Sequence, residues 1–253
     1  MKKRGFEPIS MALIGCGCLG FMLLGLAGLT ALGFFAMNSE DSGTYSGIEV
    51  DDGRQDITKE EWTQIFKAAG SALNMPWELG AAILYSETGG GVNFGGCSYF
   101  PEAPASGWVL NSSQVRNETD RTTFESIVNG LLYPKNKPVS CNAGGANGTQ
   151  NGGAMGYMQI MPPEWQGAAD KVVENGITSK KLNPWNAQDA AYVGSQVIRN
   201  KAKVPKISDP FPLDEASIKM TISLYLGGED TTRPYVTKTY ARYLEIKAAG
   251  VIP

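Results

Sequence analysis

From Met11 to Met37 the chain carries no charged residue, a run of 27 in a protein of 253. At ~1.5 Å of rise per residue, a helix of that length exceeds the ~30 Å hydrocarbon core and spans a bilayer with some tilt. It is too long for a typical signal-peptide core, and no small-residue cleavage site stands out behind it. Lys2, Lys3 and Arg4 precede it. The positive-inside rule then makes residues 1–10 a cytoplasmic tail and puts everything after the span on the outer side of the cytoplasmic membrane. The expectation is a single-pass protein with one transmembrane helix over 11–37 and an extracytoplasmic domain.

Two alternatives to a retained anchor stay open. One is a cleaved signal. The other is a lipoprotein, because Leu13-Ile14-Gly15-Cys16 is similar to a lipobox, although the apolar run continues well past Cys16. The glycines of the span form no GxxxG pair, so the sequence gives little support to a helix-dimer face. Residues 38–56 are polar, rich in Gly and Ser, with acidic residues at Glu49, Asp51 and Asp52. They read as a linker that holds a domain over 57–253 away from the membrane.

Composition narrows the chemistry of that domain. There is no histidine anywhere, which excludes Ser-His-Asp and Cys-His catalysis and zinc sites that need imidazole. A net charge of −3, with no basic stripe, gives no footprint for nucleic acid. An enzyme built from this inventory works with carboxylates, Tyr, Lys, hydroxyls or backbone groups. Cys16 and Cys18 fall in the span. Cys97 and Cys141 are the outer pair, in a compartment where oxidation is permitted. A disulfide closing 44 residues is expected of them, with two free buried thiols as the alternative.

The domain reads as mostly helical. Thr58-x-x-Glu61 is a capping box, followed by Trp62, Ile65, Phe66, Ala69 and Leu73 at helical spacing. A second helix starts near Pro76 and stops before Gly89-Gly90-Gly91. Residues 92–152 form a loop-rich insertion holding both outer cysteines and a short helix over 121–132. Asn111, Asn117 and Asn147 head Asn-x-Ser/Thr sequons, which matter only in a eukaryotic secretory pathway. Further helices are expected over 163–175, 187–201 (capped by Asn186), 214–226 (capped by Asp214) and 234–249 (stopped by Gly250). Trp165 and Trp185 are expected in the core.

Glu87 is the residue to explain. It lies four residues after Ile83 and eight after Leu79, on their apolar face. A carboxylate there either finds a partner or holds its proton to higher pH, as a general acid does. A buried glutamate satisfied by backbone or Arg is the alternative.

Tyr85-Ser86-Glu87-Thr88 before glycines resembles the end of the catalytic helix of soluble-type lytic transglycosylases, members of the lysozyme-like superfamily. Gly153-Ala154-Met155-Gly156-Tyr157-Met158-Gln159-Ile160-Met161-Pro162 resembles their Gly-Ala-x-Gly-Leu-Met-Gln-x-x-Pro motif. Asn183-Pro184-Trp185-Asn186-Ala187-Gln188-Asp189-Ala190, Ser223-Leu224-Tyr225-Leu226-Gly227-Gly228 and Arg233-Pro234-Tyr235-Val236 are similar, in the same order, to the family's later motifs. The sequence departs from the pattern with Thr88, Tyr157, Leu226 and the 69 residues between Glu87 and Gly156.

The resemblance implies an α+β, mostly α-helical lysozyme-like domain acting on peptidoglycan glycan strands. It implies Glu87 as the catalytic acid and then base, with no cofactor. Thr88, Gly156, Tyr157, Met158, Gln159 and Tyr225 are the candidate substrate-binding residues, Tyr157 by stacking on a sugar and Thr88, Gln159 and Tyr225 by holding substrate or orienting Glu87, with core packing as the alternative for each. Two other readings stand beside it. One is a hydrolytic lysozyme, with a second carboxylate drawn from Glu102, Glu118, Asp120, Glu125 or Glu164. The other is an inactive glycan-binding scaffold of an envelope-spanning secretion or conjugation machine, whose proteins would then be partners.

Overall fold

A computed structural model of the protein describes residues 56–100, 108–110, 118–141 and 152–253. The chain divides into two units, Met1–Ser42 and Gly43–Pro253, and all described residues belong to the second. The anchor over 11–37, the linker up to residue 55, Glu102 and the three sequon asparagines lie outside the described residues. Among the described residues no helix is long and apolar enough to cross a membrane.

Seven helices carry the described fold: α1 (Lys59–Ala72), α2 (Trp77–Thr88), α3 (Glu118–Gly130), α4 (Pro162–Glu174), α5 (Ala187–Lys201), α6 (Glu215–Tyr225) and α7 (Pro234–Ala249). Their ends follow local chemistry. Thr58 and Glu61 form the reciprocal capping box at the start of α1. Asn186 and Asp214 accept from the backbone N–H three residues on, opening α5 and α6. Gly89 and Gly250 close α2 and α7 in the left-handed region that glycine adopts without a Cβ penalty. The helix expected over 121–132 starts earlier, at an acidic first turn where Glu118 pairs with Arg121, and ends at Gly130. Leu132 already lies at φ 58°.

Helix α5 is the centre. Every residue from Ala187 to Arg199 is buried, and the helix packs against α1, α2, α4 and α6. Small residues set the spacing: a Cβ at Gly194 would stand 2.7 Å from the Met158 side chain, and one at Gly80 would stand 2.9 Å from the Phe66 ring. Helix α7 lies on α2 and α6, and α3 lies on α4. Arg199 is fully buried and donates to the carbonyls of Leu73, Asn74 and Lys206, tying the end of α5 to the α1–α2 turn. Trp165 and Trp185 are core residues, as expected.

The β-structure among the described residues is slight. Strands β1 (Cys97–Ser98) and β2 (Trp108–Val109) pair in parallel. Single antiparallel bridges continue the ribbon from Cys97 to Val139, from Val139 to Met155 and from Met155 to Ile160. Cys97 and Cys141 are joined by a disulfide, which clamps this ribbon from within.

Candidate active site

Residues from four helices and from the ribbon enclose a groove of about 820 Å³. Glu87 comes from the last turn of α2, Glu164 from the first turn of α4, Lys201 from the last turn of α5 and Tyr225 from the end of α6. Gly95, Gly96, Ser140, Cys141 and Ala154 form the facing wall, with Gln159 and Ile160 between the two.

Glu87 is half-buried on the face that carries Leu79 and Ile83, both fully buried. Burial pushes its carboxyl up from 4.5 to about 7, and a hydrogen bond donated by the Tyr235 hydroxyl to Oε1 offsets part of that rise. Tyr235 is in turn held well above the usual phenol range, first by burial and then by the neighbouring carboxylate. Tyr225 is raised by burial and then by Glu87, Tyr235 and Glu164. At neutral pH a carboxyl with a value of about 7 is divided almost evenly between acid and base, so one group can give a proton and take one back.

The turn between Met155 and Ile160 is the second feature of the site. Gly156 sits at φ 60°, and a Cβ there would stand 1.9 Å from the Pro184 carbonyl oxygen, so no other residue fits. The carbonyls of the turn are held both from outside it and from within. The Tyr225 hydroxyl donates to Met158 O at 2.6 Å, and Gln159 Nε2 donates to Gly156 O at 2.8 Å. Thr88 Oγ1 lies 3.1 Å from Tyr157 O and accepts from Gly91 N at 2.9 Å. Its single proton serves either Tyr157 O or Leu84 O.

The expected site residues therefore divide. Glu87, Gln159 and Tyr225 line the groove together. Thr88, Gly156, Tyr157 and Met158 do not line it; they hold the turn that forms its floor. Stacking of Tyr157 on a sugar is corrected: its ring is fully buried, edge-on to Trp62 at 5.1 Å and to Phe94 at 4.6 Å between centroids. The Met158 side chain is buried against Gly194, and only its carbonyl reaches a groove residue. Tyr235 carries the direct contact with Glu87 and was not among the expected binding residues. The available signal was Tyr235-Val236 behind Pro234, which fixes the first turn of α7.

Of the carboxylates considered as a second group, Glu164 shares the groove with Glu87. Glu118 pairs with Arg121 and Glu125 with Lys135, away from the lining residues. Asp120 is buried in α3. Among the described residues no three Cys, Asp or Glu side chains gather as metal ligands. In comparisons with known proteins, no family model, no curated protein and no solved structure matches the chain.

Proposed function

We propose that the protein is a membrane-anchored lytic transglycosylase that cuts the bond between N-acetylmuramic acid and N-acetylglucosamine in peptidoglycan. The observation that carries this reading is Glu87: a half-buried carboxyl, raised to about 7, on a groove large enough for an oligosaccharide and hydrogen-bonded by a tyrosine. The resemblance of the Glu87 segment and of the 153–162 turn to that family supplies the reaction. In it, protonated Glu87 gives its proton to the glycosidic oxygen as the C1–O bond breaks. The resulting oxocarbenium-like centre is then attacked by the muramoyl primary hydroxyl, whose proton passes to the Glu87 carboxylate. The product is a 1,6-anhydro ring, and no water is consumed. Gln159 and Tyr225 stand where a bound strand would meet polar groups, while Tyr235 holds the carboxylate that receives the proton. The uncharged run at 11–37 makes the protein single-pass, with the groove on the wall side of the cytoplasmic membrane.

A second reading has one observation in its favour. Glu164 lines the same groove, so a hydrolase with two carboxylates has a candidate pair. One digest distinguishes the readings. Purified peptidoglycan is incubated with the chain and with its Glu87→Gln variant, and new muramic ends are read by mass spectrometry. Anhydro ends, one water lighter than reducing ends and lost in the variant, are the expected result. Reducing ends would assign hydrolysis. Retained glycan binding without cleavage would assign a scaffold.

A further inference from the structure

The groove carries a charged pair that the acid–base step leaves unused. Lys201 Nζ stands 2.7 Å from Glu164 Oε1, joining the last turn of α5 to the first turn of α4. Lys201 is the only cation among the described residues that line the groove. The pair is not needed as a fold staple. Its side chains are 26% and 36% exposed, and pairs this open to water contribute about 0–1 kcal/mol. The α4–α5 contact is instead carried by apolar residues, Trp165, Ala168 and Val172 on the α4 side.

An ammonium has three N–H donors, and Lys201 directs one to Glu164; the carboxylate keeps acceptor capacity on its second oxygen. What the pair offers the groove is thus a donor set beside an acceptor set, with no net charge. A lone anion would meet Glu164 as well as Lys201, and a lone cation would meet both in reverse. A ligand carrying an ammonium and a carboxylate side by side meets both in complement.

We infer that Glu164 and Lys201 form a subsite for a zwitterionic amino-acid group. Resting on the reading of the groove as a peptidoglycan site, that ligand is the free amino-acid end of a peptide stem, and the enzyme favours glycan that still carries its stems.

The experiment titrates the full chain, in detergent micelles, with a stem tetrapeptide whose diamino acid bears a free ammonium and carboxylate. Two control peptides have that ammonium acetylated or that carboxylate amidated. Lys201→Met and Glu164→Gln are each expected to weaken binding of the zwitterionic peptide about tenfold, close to 1.4 kcal/mol. Lys201→Arg keeps the charge and the binding. Glu164→Gln becomes indifferent to acetylation, and Lys201→Met to amidation. Melting curves near wild type show that the variants fold. No binding by wild type, or equal binding by all variants, overturns the subsite. Binding is read without catalysis, so a chain that takes the peptide but leaves peptidoglycan uncut fails as a transglycosylase and keeps the subsite.

Discussion

The two walls of the groove are made by different means. The helical wall presents Glu87, Glu164, Lys201 and Tyr225 from four helices, three of which pack on the buried helix α5. The ribbon wall presents Gly95, Gly96, Ser140, Cys141 and Ala154. It is held by a two-residue parallel pairing, antiparallel bridges, hydrogen bonds such as that from the Tyr99 hydroxyl to Gly153 O, and one disulfide, and the residues it turns to the groove are small. Ionisable groups sit on the wall where apolar packing fixes a side chain's direction and sets its solvation. The facing wall contributes shape.

The largest expected effect tests the helical side. Arg199→Met removes the donors of three backbone carbonyls at Leu73, Asn74 and Lys206. A loss of about 3–5 kcal/mol in urea unfolding, shared by every helix, is expected from orphaning buried acceptors. A loss under about 1 kcal/mol would show that α5 does not organise this wall.

Removing the disulfide with Cys97→Ser and Cys141→Ser tests the other side. A closed loop of 44 residues gives a loss of about 4 kcal/mol on chain entropy, and about 2–4 kcal/mol is expected in practice. Amide exchange should rise over 92–100 and 136–141 while α1, α2 and α5 keep their protection. Equal loss of protection in both places would erase the distinction between the walls.

Glu87→Gln sharpens the comparison by pH. The folded protein holds the Glu87 proton up to about 7, whereas the unfolded chain releases it near 4.5. The folded state thus binds more protons between those values, and wild-type stability declines as pH rises through that window. The decline is at most about 3 kcal/mol, because the residue is half-buried. The variant lacks this titration, so its melting temperature should exceed wild type at pH 8 and converge with it near pH 4. A pH-independent difference would place the cause outside Glu87 ionisation. The smallest effect is Thr58→Ala, about 1 kcal/mol for loss of the α1 cap, read by the same unfolding curve.

Much of the helical wall was legible in sequence because its signals are local. Capping residues at 58, 186 and 214 and stop glycines at 89 and 250 bound helices whose apolar spacing is regular. Glu87 stood out by the same periodicity. The ribbon wall gave no such signal, since its pairings join Cys97, Val139 and Met155 across long separations. The 153–162 motif was visible, but the side of the turn facing the groove was not. Thr88 and Tyr157 could not be placed from sequence, because a hydroxyl that meets a ligand looks like one that meets a carbonyl, and a ring that stacks on a sugar looks like a ring of the core. Lys201 was illegible for a different reason: a lysine in the last turn of a helix is ordinary on dipole grounds, and only the approach of α4 gives it a partner.

The disulfide has one consequence for how the molecule comes into being. Cys141 lines the groove, and its bond to Cys97 is made only when two thiols surrender two electrons and two protons to an oxidant. The ribbon wall of a newly synthesised chain therefore lacks its covalent clamp until that exchange occurs, so the clamp depends on the electron acceptor the chain meets and not on folding alone.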